Sequence, residues 1–130
     1  MTRPALEEVL FLHELATEKY GGSPEILNLG SVEAAVFRPW GQSFRRDHFP
    51  SPFEKAAAIF ESINRRHAFQ DGNKRTSLYA AAYLLEGFGF ELDAESDAAR
   101  DLAKAVASDA TEVTFQEIAA FFEGNSVEKA

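Results

Sequence analysis

Nine consecutive residues of this chain, HAFQDGNKR at 67–75, combine the side-chain types that phosphate chemistry needs. A histidine titrates near neutral pH and can accept the proton of a hydroxyl nucleophile, so His67 is predicted to be a general base. A carboxylate beside a phosphate site commonly holds Mg²⁺, which is the role predicted for Asp71. Phe69, between the two, is predicted to anchor the loop in the core. The segment is therefore predicted to be a phosphate-handling active site.

The second half of the segment has the features of an anion site at the beginning of a helix. Gly72 permits a tight or positive-φ backbone, and the amides from there to Arg75 lack intrahelical partners. These amides, among them that of Asn73, and the positive end of the helix dipole attract anions. Lys74 and Arg75 add two positive charges where a helix disfavours them, which is the kind of local conflict expected at a functional site.

Each of these residues also has a purely structural interpretation. The Asp71-Gly72-Asn73 stretch is compatible with a loop followed by an N-cap asparagine, and the two cations after it with solvated surface residues. Single histidines are usually packed or surface residues, and His13 and His48 are interpreted in that way. For the motif, every structural interpretation would have to hold at once within nine residues, so the functional one is favoured.

The surrounding sequence predicts the helices that must position this segment. Apolar spacing, Ser or Thr caps and glycine stops indicate helices at 4–20, 51–66, 73–86, 96–108 and 114–124, and Ser23-Pro24 predicts a further short one. The run LYAAAYLL at 78–85 is apolar on every face, so its helix is expected to be surrounded. The predicted fold class is an all-α bundle of about six helices around a buried central helix.

Little of the chain is typical of strands. Residues 34–49 contain the turn signal RPWG flanked by apolar residues, and they are expected to form a short hairpin or an ordered loop. The absence of repeats, low-complexity tracts and linkers predicts one domain over 1–130.

Composition restricts the class of protein further. A content of 45% hydrophobic and 26% charged residues is ordinary for a soluble globular protein. The absence of cysteine excludes disulfides and thiolate chemistry. Neither a signal peptide nor a membrane-spanning run is recognisable, so a cytoplasmic protein without membrane association is expected.

The charge distribution suggests a localised anionic ligand. The net charge of −8 argues against general affinity for nucleic acid. Residues 38–75, however, contain eight basic and four acidic side chains, so this basic island carries +4 and the remainder −12. Chance alternation of charge on helix surfaces explains the count equally well.

The motif resembles the signature of the Fic/Doc superfamily, HxFx(D/E)GN(G/K)R. The lysine at 74, the chain length, YGG at 20–22 and RP at 38–39 resemble the death-on-curing (Doc) branch. The resemblance extends from about residue 6 to 122 and implies a mostly helical Fic-like bundle. All seven fixed positions of the signature match, namely His67, Phe69, Asp71, Gly72, Asn73, Lys74 and Arg75.

The resemblance also implies an activity. His67 would activate a target hydroxyl, Asp71 would bind Mg²⁺, and the phosphate pocket for ATP would be lined by Gly72, Asn73 and Arg75. Most Fic enzymes have glycine at the position of Lys74 and transfer AMP. Lysine there resembles the Doc variant, in which the nucleotide is held reversed and the γ-phosphate is transferred. Kinase activity is therefore expected, and adenylyl transfer is the alternative.

Partners and regulation are implied by the same resemblance. The target would be a threonine of elongation factor Tu, and the regulator a small antitoxin of the prevents-host-death type. Self-inhibited Fic proteins carry (S/T)xxxE(G/N), whereas AAFFEG at 119–124 lacks the Ser or Thr. Glu123 is therefore interpreted as the end of a core helix, and inhibition in trans is favoured.

The segment from 38 to 49 is a candidate flap over the site. Trp40 and Phe44 could hold the target there or could pack on the core, and the sequence leaves both open. The cluster of Trp40, Arg45 and Arg46 also motivates a weaker nucleic-acid-binding hypothesis, which the pI of about 4.8 opposes.

Overall fold

A computed structural model describes residues 4–108 and 111–129 and confirms the all-α prediction. Within those residues, no helix is both long enough and apolar enough to cross a membrane. Two short antiparallel hairpins accompany the helices. The helices are α1 (Leu6–Tyr20), α2 (Leu29–Phe37), α3 (Pro52–Arg66), α4 (Asn73–Gly87), α5 (Asp97–Ala107) and α6 (Phe115–Asn125).

The helix beginnings follow the caps that the sequence contains. Ser51 Oγ accepts a hydrogen bond from the amide of Glu54 at 3.0 Å, at the start of α3. Thr114 and Glu117 form a reciprocal capping box at the start of α6. Because these side chains satisfy amides that the helix itself cannot, the predicted starts of both helices are confirmed.

Helices α3 and α4 lie together at the centre of the bundle. Phe60 of α3 is buried and packs edge-on against Phe122 of α6, with 5.3 Å between the ring centroids. Leu78 and Leu85 of α4 are also buried, as a central helix requires. Tyr83, however, is 40% exposed, so α4 has one face in solvent and shares the central position with α3.

The short helix predicted at Ser23-Pro24 is wrong. The chain there is not helical, and α2 begins only at Leu29, where the Asn28 side chain accepts from the amide of Ser31. The segment 22–28 instead pairs with the loop after α3, since the amides of Leu27 and Asn28 both donate to the carbonyl of Ala68. Tertiary pairing with the motif loop therefore overrides the local cap signal.

The predicted hairpin is formed by β1 (Gln42–Ser43) and β2 (Arg46–Asp47). Its expected position over the motif is not observed. Asp47 pairs with Lys55 in the first turns of α3, whereas His67 follows the last turn of that helix. The twelve residues of helix between these two points correspond to about 18 Å.

A second hairpin joins β3 (Phe90–Leu92) to β4 (Ser126–Glu128) and was not predicted from the sequence. Each strand is only three residues long, and the end of β3 at Leu92 and the start of β4 at Ser126 lie 34 positions apart in the chain. This antiparallel pair connects the end of α6 to the segment that follows α4.

Candidate active site

The loop between α3 and α4 opens onto a cavity of about 580 Å³, called here the motif cavity. Seven of the nine motif residues line it, whereas Ala68 and Phe69 are buried. The structure thus brings together every predicted site residue except the loop anchor, and it places that anchor in the core as predicted. The lining includes His67, Asp71, Gly72, Asn73, Lys74 and Arg75, together with Tyr20, Gly22 and Asn64.

His67 ends α3 in a left-handed conformation, with φ 49° and ψ 48°. This region is unfavourable for a residue with a β-carbon, and strain of this kind is concentrated at functional sites. His67 is exposed and lines two cavities, because a second one of about 450 Å³ lies between Arg65 and residues 106–108 and 111–114. A base in this position has open space on two sides, as transfer between a donor and an acceptor requires.

The N-terminus of α4 is open toward the motif cavity. Gly72 is the N-cap residue and has the predicted positive φ, at 82°. No side chain caps this end, so the amides of its first turn are available to an anion. Lys74 and Arg75 follow in that same turn and line the cavity with it.

Asn73 locks the loop instead of capping the helix. Its Nδ2 donates to the carbonyl oxygen of Phe69 at 2.8 Å, and its Oδ1 accepts from the amide of Phe69 at 3.2 Å. This reciprocal pair closes the turn between the buried anchor and α4. The interpretation of Asn73 as the N-cap residue is therefore wrong, because Gly72 occupies that position. Asn73 stabilises the turn and also lines the cavity.

Asp71 is held from both its side chain and its backbone. Oδ2 accepts a hydrogen bond from the amide of Ser23 at 2.8 Å. Gly22 lies so close that a β-carbon on it would be 2.9 Å from the β-carbon of Asp71. Oδ1 has no hydrogen-bond partner within the described residues, and Asp71 lines the same cavity as the first residues of α4.

This arrangement fits Mg²⁺ bound together with a substrate. No group of three or more His, Cys, Asp or Glu side chains that could enclose a metal occurs in the described part of the chain. Magnesium at nucleotide sites is usually held by one or two carboxylates plus substrate phosphates, not by an all-protein cage. The single outward-facing carboxylate of Asp71 meets that requirement.

His13 supports the motif from α1 without lining the cavity. The residue is buried, which confirms its interpretation as a packed histidine. Its ring stacks on Phe69, with 3.7 Å between centroids and 11° between planes. Its Nε2 lies 2.8 Å from the carbonyl oxygen of Asp71. No sequence signal indicated this contact, because the two residues are 58 positions apart.

Arg75 is oriented by an aromatic and acidic cluster. Its guanidinium carbon lies 3.3 Å from the centroid of the Tyr20 ring, and Nη1 is 3.4 Å from Glu95 Oε2. The hydroxyls of Tyr20 and Tyr79 both donate to the Glu95 carboxylate. These two hydrogen bonds lower the pKa of Glu95 below its usual value, while burial and the contact with Glu95 raise the pKa of Tyr79.

The basic island of residues 38–75 does not converge on the cavity. Arg38 forms an ion pair with Glu61 at 2.9 Å, and Lys55 pairs with Asp47 at 3.2 Å, both away from the motif. Much of the island is therefore surface and interior pairing. Lys74 and Arg75 are the two lysine or arginine residues of the island that line the cavity, and the exposed side chain of Lys74 has no carboxylate within ion-pair distance among residues 4–108 and 111–129.

Three other residues lie away from the motif cavity. Trp40 is partly buried and stacks on Phe88, with 6.0 Å between the ring centroids, so it packs on the core. Phe44 is 97% exposed in that turn. Glu123 is exposed near the end of α6 and is not among the residues that line the cavity.

Comparisons with known proteins agree with the motif. The sequence model described as "Fic/DOC family" matches residues 4–85. The chain is 38% identical over 104 residues to the "Toxin Doc" of Mycolicibacterium smegmatis, which covers 78% of each protein. It is 31% identical over 86 residues to the "Protein kinase doc" of Escherichia phage P1, covering 66% of this chain and 68% of that one. The chain therefore belongs to the Fic/Doc family, as the motif indicated.

Proposed function

We propose that this Fic/Doc protein is a Doc-like toxin that transfers the γ-phosphate of ATP to a Ser or Thr hydroxyl of a protein target. The observation that carries the proposal is the convergence of His67, Asp71 and the uncapped N-terminus of α4 on one cavity. The names of two relatives, a toxin and a protein kinase, support the same activity.

In the proposed reaction, the target hydroxyl oxygen attacks the γ-phosphorus and forms a new phosphorus–oxygen bond. The bond between the γ-phosphorus and the oxygen that bridges it to the β-phosphate breaks, and ADP leaves. The hydroxyl proton passes to a ring nitrogen of His67, which is exposed beside the phosphate site. The α4 amides and Arg75 stabilise the negative charge on the phosphates by fixed dipoles and a full charge.

Mg²⁺, when bound, would neutralise phosphate charge and polarise the reacting group. Asp71 is the residue proposed to hold it. The hydrogen bond from the Ser23 amide to Oδ2 fixes the carboxylate, and Oδ1, which has no hydrogen-bond partner within the described residues, would bind the metal. The extended segment 22–28 thus has a role in the site: it orients the metal ligand.

Lys74 supports phosphoryl transfer over AMP transfer. A glycine at this position lets a phosphate approach the backbone closely, whereas a lysine side chain fills that space and offers a mobile ammonium group. The exposed, unpaired side chain of Lys74 faces the motif cavity, so it is in place to act on the bound phosphates. The alternative function is adenylyl transfer to a protein hydroxyl, which the same phosphate-binding geometry would support.

The proposal extends to target and regulator. Resemblance to Doc proteins favours elongation factor Tu as the cytoplasmic target and an arrest of translation as the result. It also favours a small antitoxin of the prevents-host-death type as the inhibitor. The position of Glu123 outside the motif cavity agrees with inhibition by a separate chain.

Isotopic labelling tests the reaction type. The purified protein is incubated with bacterial lysate, Mg²⁺ and ATP labelled at either the α- or the γ-phosphate. We expect protein-bound label from the γ-position only, and none with His67→Ala. His48→Ala is a matched control, because that histidine lies in the β1–β2 hairpin and bonds to Ser43. Label retained from the α-position only would exclude the kinase proposal and favour adenylyl transfer.

A non-catalytic binding module is the remaining class, and growth assays address it. Expression in bacteria should arrest growth, and His67→Ala should remove the arrest while His48→Ala retains it. Arrest that persists with His67→Ala at equal protein levels would show that binding alone is responsible.

A further inference from the structure

Glu95 contacts the motif from outside the motif cavity. It lies in the loop between β3 and α5, and its Oε2 is 3.4 Å from Nη1 of Arg75. Glu95 does not line the motif cavity, but it does line a separate groove of about 560 Å³ between α1 and α4. Glu95 is therefore placed to influence a ligand of the motif cavity through Arg75, which lines that cavity and carries the charge that Glu95 contacts.

The backbone of Glu95 is fixed by the turn that leads into α5. Asp93 Oδ1 accepts a hydrogen bond from the amide of Glu95 at 3.0 Å, and the Asp93 carbonyl accepts from the amide of Ser96 at 3.3 Å. Ser96 in turn caps α5, because its Oγ accepts from the amide of Ala99 at 3.1 Å. Aspartate and serine form such contacts readily at turns and helix starts, so the local sequence holds Glu95 in place.

Two tyrosine hydroxyls hold the carboxylate of Glu95. Tyr20, the last residue of α1, donates to Oε2 at 2.6 Å, and Tyr79 of α4 donates to Oε1. These hydrogen bonds favour the charged form and lower the pKa of Glu95, so the group is ionised at neutral pH. Because both oxygens are bound, the carboxylate has a fixed orientation beside Arg75.

The guanidinium of Arg75 is held at its face and at one nitrogen. The centroid of the Tyr20 ring lies 3.3 Å from Cζ of Arg75, and Nη1 pairs with Glu95. A guanidinium carries five N–H donors in a planar fork, so these contacts fix its plane and still leave donors for a ligand in the motif cavity. Tyr20 acts twice, since its ring contacts the guanidinium and its hydroxyl holds the carboxylate.

We propose that Glu95 is a positioning residue for group transfer, which acts by orienting the guanidinium of Arg75 toward the phosphates in the motif cavity. The inference rests on the proposed function in taking Arg75 to contact those phosphates. Without Glu95, Arg75 keeps its charge but becomes mobile. A mobile cation still attracts phosphates, whereas stabilisation of the charge that develops during transfer depends on donors that are already in place.

This role predicts an effect on the rate of transfer and little effect on phosphate affinity. Loss of orientation weakens binding, and removal of a nearby negative charge strengthens it, so the two effects on affinity oppose each other. In the transition state, the loss of orientation dominates. A residue that acts in this way changes kcat and kcat/KM together and leaves KM nearly unchanged.

Glu95→Gln tests the prediction, because the amide keeps the size of the side chain and an acceptor oxygen but removes the charge. Transfer of label from ATP to protein gives kcat and KM, and calorimetry in the His67→Ala background gives the Kd of inorganic tripolyphosphate with Mg²⁺. We expect kcat to fall at least about tenfold, since misplacement of a positioned group has effects of this size. The KM for ATP and the Kd of tripolyphosphate should change by less than about threefold.

Glu86→Gln is the matched control. It removes the same charge from the same groove, but Glu86 pairs with Lys129 at 2.9 Å and does not line the motif cavity. We expect its kcat to equal that of the wild type. Thermal unfolding of each variant establishes that the protein is folded.

Two further measurements test whether the effect passes through Arg75. In an Arg75→Lys background, Glu95→Gln should change kcat by less than about twofold, because the planar group that Glu95 orients is gone. The NMR signal of the Arg75 Nε–H, identified by its loss in Arg75→Lys, requires no activity. Stacking on the Tyr20 ring should shift this signal upfield in the wild type, and Glu95→Gln should reduce the shift.

Several results would overturn the inference. An unchanged kcat in Glu95→Gln would leave Glu95 as a structural residue, and so would an equally large effect in the Arg75→Lys background. Tripolyphosphate that binds much more tightly to Glu95→Gln would show that Glu95 competes with phosphate for Arg75. If the protein transfers no label, an Arg75 signal that is the same in Glu95→Gln and the wild type overturns the inference. Transfer from the α-position only, with the expected change in kcat, would contradict the proposed function and support the inference.

Discussion

The imidazole of His13 holds the backbone of Asp71 in place. Its Nε2 lies 2.8 Å from the carbonyl oxygen of Asp71, and because a carbonyl can only accept, Nε2 carries the hydrogen and donates. The same ring stacks on Phe69 at 3.7 Å. A residue of α1 thereby fixes both the core anchor of the motif and the backbone of the proposed metal ligand. His13 is a positioning residue, since it does not line the cavity.

Replacing His13 by Phe separates the two contacts. The ring of His13→Phe can still stack on Phe69, but the Asp71 carbonyl loses its donor. We expect a loss of about 1–3 kcal/mol in the free energy of unfolding. Because Asp71 would be less well fixed, the Mg²⁺ concentration for half-maximal transfer should rise. Chemical denaturation and an Mg²⁺ titration check the two effects, and an unchanged Mg²⁺ requirement would show that His13 is only a core residue.

Alanine substitutions at Gly22 and Gly21 form a matched pair that tests the close contact between Gly22 and Asp71. Both have positive φ, 108° and 83°, so alanine at either should destabilise the fold by about 1–2 kcal/mol. Only Gly22→Ala places a β-carbon against Asp71, whereas nothing lies within 4 Å of the corresponding atom at Gly21. Transfer measured at limiting Mg²⁺ should therefore fall much further in Gly22→Ala. Equal activities in the two variants would contradict the proposed role of the close approach.

The left-handed backbone of His67 predicts that two inactive variants differ in stability. Both His67→Gly and His67→Ala remove the imidazole and should abolish transfer. Glycine alone tolerates φ 49° without strain, so the glycine variant should unfold with a free energy about 1 kcal/mol higher than the alanine variant. Urea denaturation gives the comparison. Two equally stable variants would mean that the loop relaxes and that no strain is held at this residue.

Glu95 predicts a change of stability in acid. Hydrogen bonds from Tyr20 and Tyr79 lower its folded-state pKa below the usual 4.5. A lowered pKa contributes stability that is fully present above about pH 4.5 and is lost as the pH falls through the folded-state value. The difference in unfolding free energy between the wild type and Glu95→Gln should thus be constant from neutral pH to about 5 and shrink below it. Tyr20→Phe removes one of these hydrogen bonds and should flatten the dependence. A difference that grows on acidification would contradict the prediction.

The motif and the helices could be predicted because their determinants are local. Ser51, Thr114 and Gly72 act within three or four residues of their own positions, so the caps and the positive φ at the start of α4 are readable from the sequence. The site residues lie close together for the same reason, because they occupy the end of α3, the loop after it and the start of α4.

The contacts that could not be predicted all join distant parts of the chain. Pairing of residues 22–28 with Ala68 replaced the short helix that Ser23-Pro24 suggested. The contact of His13 with Asp71 and the β3–β4 hairpin likewise depend on packing that no spacing rule encodes. The hairpin at 42–47 lies within the predicted segment, but the RPWG signal forms a short 3-10 helix at Arg38–Trp40 and the chain turns at Phe44 and Arg45. The distance of the hairpin from the motif is set by the full length of α3.

The most direct test of the account is the intact mass of purified elongation factor Tu after incubation with this protein, Mg²⁺ and ATP. We predict a mass gain of one phosphoryl group, absent with His67→Ala and present with His48→Ala. A gain of one AMP would contradict the proposed direction of the nucleotide. A phosphoryl gain that persists with His67→Ala would contradict the role of His67 as the base, and an unmodified elongation factor Tu would contradict the proposed target.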